Sequence, residues 1–127
     1  MKTTKPNKTD FHPSINVSVM EELYEGDMDH IRDMFEIFIE TIPEEFDKLL
    51  SLYKDQSWEE FGRQAHKMKP TFEMVGRPDI KELFLKLELH KFDTFDPAKI
   101  DAIVNDLPGL VHEAIEISRS ELQRLNA

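Results

Sequence analysis

An all-α fold, an up-down-up-down four-helix bundle with a short extra N-terminal helix, is predicted by three observations on this 127-residue sequence. Four long segments carry apolar residues at steps of three and four, the spacing that lines one face of an α-helix. No stretch alternates with period two for long enough to be a strand. The links between the segments are short, and such links close most simply as antiparallel neighbours.

Residues 1–16 hold Pro6, Pro13 and polar side chains with no period, and read as an extended or disordered leader to a bundle over residues 17–127. A short helix follows from Ser18 to Tyr24, stopped by Gly26, with Val19, Met20, Leu23 and Tyr24 as its apolar residues. Asp27 is the N-cap of the first long helix, whose stripe from Met28 through Phe35, Ile42 and Leu49 to Tyr53 keeps its phase across Pro43, so a kink is expected there. Asp55 to Ser57 make a connection, with Ser57 and Glu60 spaced as a capping box.

The next helix starts at Trp58 and stops at Gly76, where a left-handed turn is easy for glycine. Pro78 opens a helix to about Lys91, with Ile80, Leu83, Phe84 and Leu87 as its inner face. The stretch FDTFD reads as a loop, and Asp96 with Pro97 opens the last helix, carried by Ile100, Val104, Leu107, Val111 and onward to Leu125. Pro108 and Gly109 leave open whether that helix is whole or split.

Composition narrows the chemistry. The chain is one domain in size, too short to hold a catalytic domain and an ATP-binding domain together. Without cysteine there is no thiolate metal site and no cysteine nucleophile, which fits a reducing compartment, and cytoplasm is the expected location. Neither a signal peptide nor a run of about 18 apolar residues is present, so no membrane is expected. The net charge of −10 argues against nucleic acid as a partner. One local exception stands out: residues 63–81 carry Arg63, Lys67, Lys69, Arg77 and Lys81 against Glu73 and Asp79. This is either ordinary charge scatter on a solvated helix or a basic spot for phosphate or an acidic partner.

His66 lies inside that stretch. The apolar residues Trp58, Phe61, Ala65, Met68, Phe72 and Val75 form the inward stripe, and at ~100° per residue the imidazole falls roughly 130° from its centre, toward water. Gly62, Lys69, Pro70 and Glu73 share its side of the helix. An imidazole in water titrates near ~6.5, so at neutral pH much of it is an unprotonated nucleophile that needs no general base. Lys69, one turn on, is placed to neutralise phosphoryl oxygens during an in-line transfer.

The run AHKMKPTFEMVG resembles the signature of histidine-containing phosphotransfer (HPt) domains, in which a helix presents A-H-x-L-K-G, then small residues, then a glycine. Ala65, His66, Met68, Lys69 and Gly76 carry the match, and the order and length of the helices extend it over residues 17–125. The resemblance implies a phosphocarrier of multistep phosphorelays, with His66 as acceptor, Lys69 as its phosphoryl-stabilising neighbour, and receiver domains of response regulators and hybrid histidine kinases as partners. It implies no ATP-binding or autokinase parts and no cofactor of its own, with Mg2+ supplied by the partner's acidic pocket. A monomer is the expected state. Gly62, Arg63, Lys67, Pro70, Glu73, Met74, Met20 and Leu23 are the candidate docking residues, Gly62 having close helix packing as its other explanation. Pro70 departs from the family's glycine and predicts a bend, and Glu73 would repel an incoming phosphoryl group unless Lys69 or Lys67 holds it aside.

Three alternatives compete with this reading. A sensor-kinase dimerisation helix wants H-E-x-x-T-P, but Lys67 follows His66 and the proline comes one residue early. A metal-binding bundle wants Glu-x-x-His pairs, yet Asp27, Arg63, Leu87 and Gly109 stand three residues before His30, His66, His90 and His112. A docking module that has lost its chemistry is the remaining alternative, suggested by Pro70 and Glu73.

Overall fold

In the computed structural model, which describes residues 11–89 and 96–127, five helices form and no strand is present among those residues. They are α1 (Val17–Tyr24), α2 (Met28–Lys54), α3 (Trp58–Met74), α4 (Pro78–Leu89) and α5 (Pro97–Asn126). α2 packs on α3 and α5, and α4 closes the ring between α3 and α5, while α1 lies across α2 and α3. This is the antiparallel four-helix bundle with its added N-terminal helix.

Local chemistry explains most of the boundaries. The Asn16 side chain accepts from the Val19 N–H at 3.1 Å, so α1 begins one residue earlier than expected. Asp27 caps α2 through the His30 N–H, and Asp96 caps α5 through the Ala98 N–H. Ser57 makes no side-chain cap bond, so the expected capping box is not formed. α2 runs unbroken through Pro43, and α5 through Pro108 and Gly109. Pro43, Pro108 and Gly109 all sit on exposed positions, where a carbonyl that loses its helical partner still has water. The FDTFD stretch up to Phe95 and the end of the fourth helix at His90 and Lys91 lie outside the described residues.

Residues 11–16, expected in an extended or disordered leader, are packed instead. Ile15 is 4% exposed, Phe11 packs against the core, and the Asn16 N–H donates to the Gly76 carbonyl at 2.8 Å. Residues 11–16 thus belong to the packed body, while residues 1–10 of the expected leader lie outside the described residues.

Phe72 is the centre of the core. Its ring stacks on Phe84 at 4.7 Å and meets Phe38 edge-on at 5.5 Å, tying α3 to α4 and α2. The α3–α4 reversal is fastened at Gly76 and Arg77. Gly76 adopts φ +76°, and a Cβ there would lie 2.5 Å from Ile15 Cγ2 and 3.2 Å from Met20 Sδ. Arg77, 4% exposed, grips Asp79 beside it and reaches Glu113 on α5 at 2.8 Å. Burial opposes the Arg77 charge, but Asp79 and Glu113 outweigh it and raise its pKa further.

The two glycines the space around them distinguishes give opposite predictions. Gly76→Ala combines a left-handed backbone with a clash and is expected to cost about 2–4 kcal/mol. Gly109→Ala, with nothing within 4 Å of the new Cβ, is expected to stabilise by about 0.5–1 kcal/mol. Urea unfolding of both variants checks the pair; equal midpoints contradict the account of the turn.

Candidate functional site

The inward stripe of α3 determines where His66 points. Ala65, Met68 and Phe72 are at most 1% exposed, so the ring next to Ala65 is turned out, and its side chain is 65% exposed. One turn on, the Lys69 side chain is only 20% exposed. Both residues converge on one group that sequence reasoning did not name: Glu88 of α4, 13% exposed. Its Oε1 lies 2.5 Å from His66 Nδ1, and its Oε2 accepts from Lys69 Nζ at 2.8 Å.

Glu88 meets His66 because α3 and α4 fold back on each other about Arg77. Glu73 and Lys81, four residues either side of it, pair at 3.3 Å, and His66 and Glu88, eleven either side, form the next cross-link up the same seam. The signal in the sequence was this symmetry about the Gly76 turn.

Burial pushes the Glu88 carboxyl up, yet hydrogen bonds from Lys69 and His66, together with their charges, prevail and hold it below the usual glutamate range. An ionised carboxylate has acceptors only, so His66 Nδ1 is the donor. In the neutral ring the lone pair is therefore on Nε2.

The basic spot is not a bare one. Lys67 reaches Glu45 of α2 at 3.2 Å, Arg63 reaches Glu59 at 3.0 Å, Lys69 has Glu88, and Lys81 has Glu73. Arg77 is buried and faces α5, away from any surface cluster. Glu45 is itself anchored: buried Gln64 donates to its carboxylate at 2.9 Å and to its backbone carbonyl at 3.0 Å. The Gln64 hydrogen bond, against the opposing effect of burial and with help from Lys67 and Lys48, lowers the Glu45 pKa. Glu73 is restrained by Lys81, whereas Lys69 or Lys67 was the expected holder.

The other candidate residues separate by exposure. Met74 and Leu23 stand out at 38% and 43%, and the Tyr24 hydroxyl donates to the Met74 carbonyl at 2.5 Å, tying α1 to the end of α3. Burial raises the Tyr24 pKa to about 12, so the hydroxyl remains a donor. Ile37 of α2, 47% exposed, belongs with them by exposure. Met20 is 1% exposed and packs over Gly76, so it does not reach the surface as expected. Gly62 is buried too, which matches close packing and leaves no bare patch beside the ring. Pro70 is exposed, and α3 continues through it to Met74. Ala65 and Gly76, the motif's small residues, are respectively at the buried back of the histidine and at the turn.

Among the described residues no group of three or more His, Asp or Glu is placed to hold a metal ion, and no helix is long and apolar enough to cross a membrane. His12 is not in a loose leader, since its Nδ1 accepts from the Ser14 N–H at 3.0 Å. His90 lies outside the described residues.

Comparison with known families matches residues 33–124 to the family described as Hpt domain. No curated protein and no solved structure matches the chain.

The shared carboxylate makes Lys69 more than an exposed charge. Lys69→Met is expected to cost about 1–2 kcal/mol near neutral pH. Because the folded Glu88 pKa is depressed, its stabilisation is present above the unfolded carboxyl pKa and is lost as pH falls through the folded value. The gap between wild type and variant should therefore narrow as pH is taken from neutral to below the ordinary glutamate range. Denaturant unfolding at both pH values checks this, and a constant gap contradicts it.

Proposed function

Because the chain belongs to the Hpt domain family, we propose that it takes a phosphoryl group onto His66 from an aspartyl phosphate of one receiver domain and passes it to the aspartate of another. Hpt domains are phosphocarriers that work with receiver domains in phosphorelays and are not enzymes in the usual sense. The observation that carries the assignment to His66 is an outward imidazole, bonded at Nδ1 and flanked by an ammonium.

The chemistry follows from that arrangement. The Nε2 lone pair attacks phosphorus in line, the bond to the aspartate oxygen breaks, and the carboxylate leaves with the electron pair. Little covalent assistance is needed, since phosphoryl transfer depends chiefly on positioning and charge. Lys69 supports the transferred oxygens, and the partner's acidic pocket supplies Mg2+. Lys67 and Arg63, each exposed by more than half though paired, and the apolar Met74 and Leu23 are the docking residues. A monomer acting in the cytoplasm completes the reading.

The test is transfer from a receiver domain carrying labelled aspartyl phosphate. Wild type is expected to acquire acid-labile, alkali-stable label, His66→Gln none, and Lys69→Ala to load about 10- to 100-fold more slowly. Labelled ATP alone should leave the protein unlabelled. Tight binding of the receiver with no transfer would instead establish a docking module without chemistry.

A further inference from the structure

Lys67 follows His66 directly and Arg63 precedes it by three residues, and both side chains are exposed, but their partners differ. Arg63 reaches Glu59 on its own helix, a side chain 82% exposed, whereas Lys67 reaches across the seam to Glu45 of α2, which is 28% exposed and fixed from behind. Buried Gln64 spends its amide group on that one residue, donating to the carboxylate at 2.9 Å and to the backbone carbonyl at 3.0 Å. An aliphatic side chain would fill the same place without the cost of burying an amide. The two bonds of the glutamine hold the carboxylate still.

That anchoring changes what the ion pair is worth. An exposed pair contributes little because two mobile side chains must be ordered to make it. Here one of the two is already ordered, and the Lys67 ammonium lies 3.2 Å from Glu45 Oε1 and 3.5 Å from Oε2, facing both oxygens. The hydrogen bond from Gln64, against burial and with the charges of Lys67 and Lys48, holds the Glu45 pKa below the ordinary glutamate value, so its charge is present at neutral pH. A cleft of about 220 Å³ opens along the seam at this point, lined by Thr41, Ile42, Met68 and Thr71 together with Lys67 and Glu45. Both charges thus border space that a side chain of a partner can enter. A partner carboxylate that hydrogen-bonds to Lys67 Nζ at about 3 Å comes to lie no more than about 6 Å from Glu45 Oε1, where like charges repel.

We propose that Glu45, positioned by Gln64, is a specificity-determining residue for receiver docking: it competes with the partner for Lys67 and so weakens attachment to acidic surfaces that use this lysine. The inference rests on the phosphocarrier reading above. A carrier that serves two receivers in turn must release the first before it meets the second, and a carboxylate ready to take Lys67 back favours that release. An acidic surface that also offers a hydrogen-bond donor to Glu45 escapes the penalty, so the pair discriminates among acidic receivers by what stands beside their carboxylate.

Titration of the full chain with an unphosphorylated receiver domain, one that exchanges phosphate with His66, measures docking apart from transfer. Glu45→Gln, which keeps the shape and still accepts from Gln64, is expected to bind about 3- to 10-fold more tightly at low ionic strength, and the gain should shrink as salt is raised. The double variant Glu45→Gln/Lys67→Ala should bind no more tightly than Lys67→Ala alone. Gln64→Leu, which leaves the carboxylate but removes its anchor, should give a smaller gain of the same sign, a change that a glutamine serving only packing would not produce; it decides the matter if Glu45→Gln fails to fold. Unchanged or weaker binding by the folded variants overturns the proposal, as does a gain that survives Lys67→Ala. Exchange of phosphate with His66 without any effect of Glu45 on binding overturns this inference alone, whereas neither binding nor exchange with any receiver overturns the carrier reading and this inference together.

Discussion

The register between α3 and α4 is the constraint on which the site depends. Eleven residues of helix rise about 16 Å, so His66 and Glu88 meet well away from the turn, and a slip of a single helical turn, about 5.4 Å, would separate them. Several independent features prevent that slip. Gly76 in its left-handed conformation reverses the chain against Ile15, the buried Arg77 ties the reversal to Glu113 of α5, and the Phe72–Phe84 stack locks the two helices between the turn and the site. The candidate site is thus governed by core packing and by a buried arginine at the turn.

That dependence changes the view of the charges. A chain of net charge −10 with five cations in one short stretch invites the picture of a naked positive patch. The fold instead answers each of the five with a carboxylate, two of them from helices across the seam and one from α2. At rest the site is close to balanced, and Lys69 already has an anion to hold. In the proposed transfer an arriving phosphoryl group would offer the ammonium a second, more highly charged partner, and part of that favourable interaction would be offset by weakening the bond to Glu88.

Much of the architecture was legible because periodicity reports on each helix alone. The stripes of α2, α3 and α5 needed no tertiary knowledge, nor did the outward bearing of His66, which follows from the phase of Ala65, Met68 and Phe72. What the sequence hid lies between helices. The i, i+3 and i, i+4 rules connect His66 to Lys69 but say nothing of Glu88 or Glu45, which reach α3 only once the bundle closes. Met20 looked like surplus apolar area on a short helix until residues 11–16 proved to be packed, and Gly62 had two explanations that only burial separates. Ile37 went unremarked because it falls outside the stripe, and an exposed isoleucine is conspicuous only when its surroundings are known.

The claim beneath the whole account is that one nitrogen of one histidine carries the phosphoryl group. Mapping the phosphorylated residue by mass spectrometry at alkaline pH, after brief exposure to a phosphorylated receiver, tests it most directly. The account predicts modification of the peptide containing His66, localised to that ring. Phosphate found on His12, His30, His90 or His112, or on a carboxylate, would contradict it.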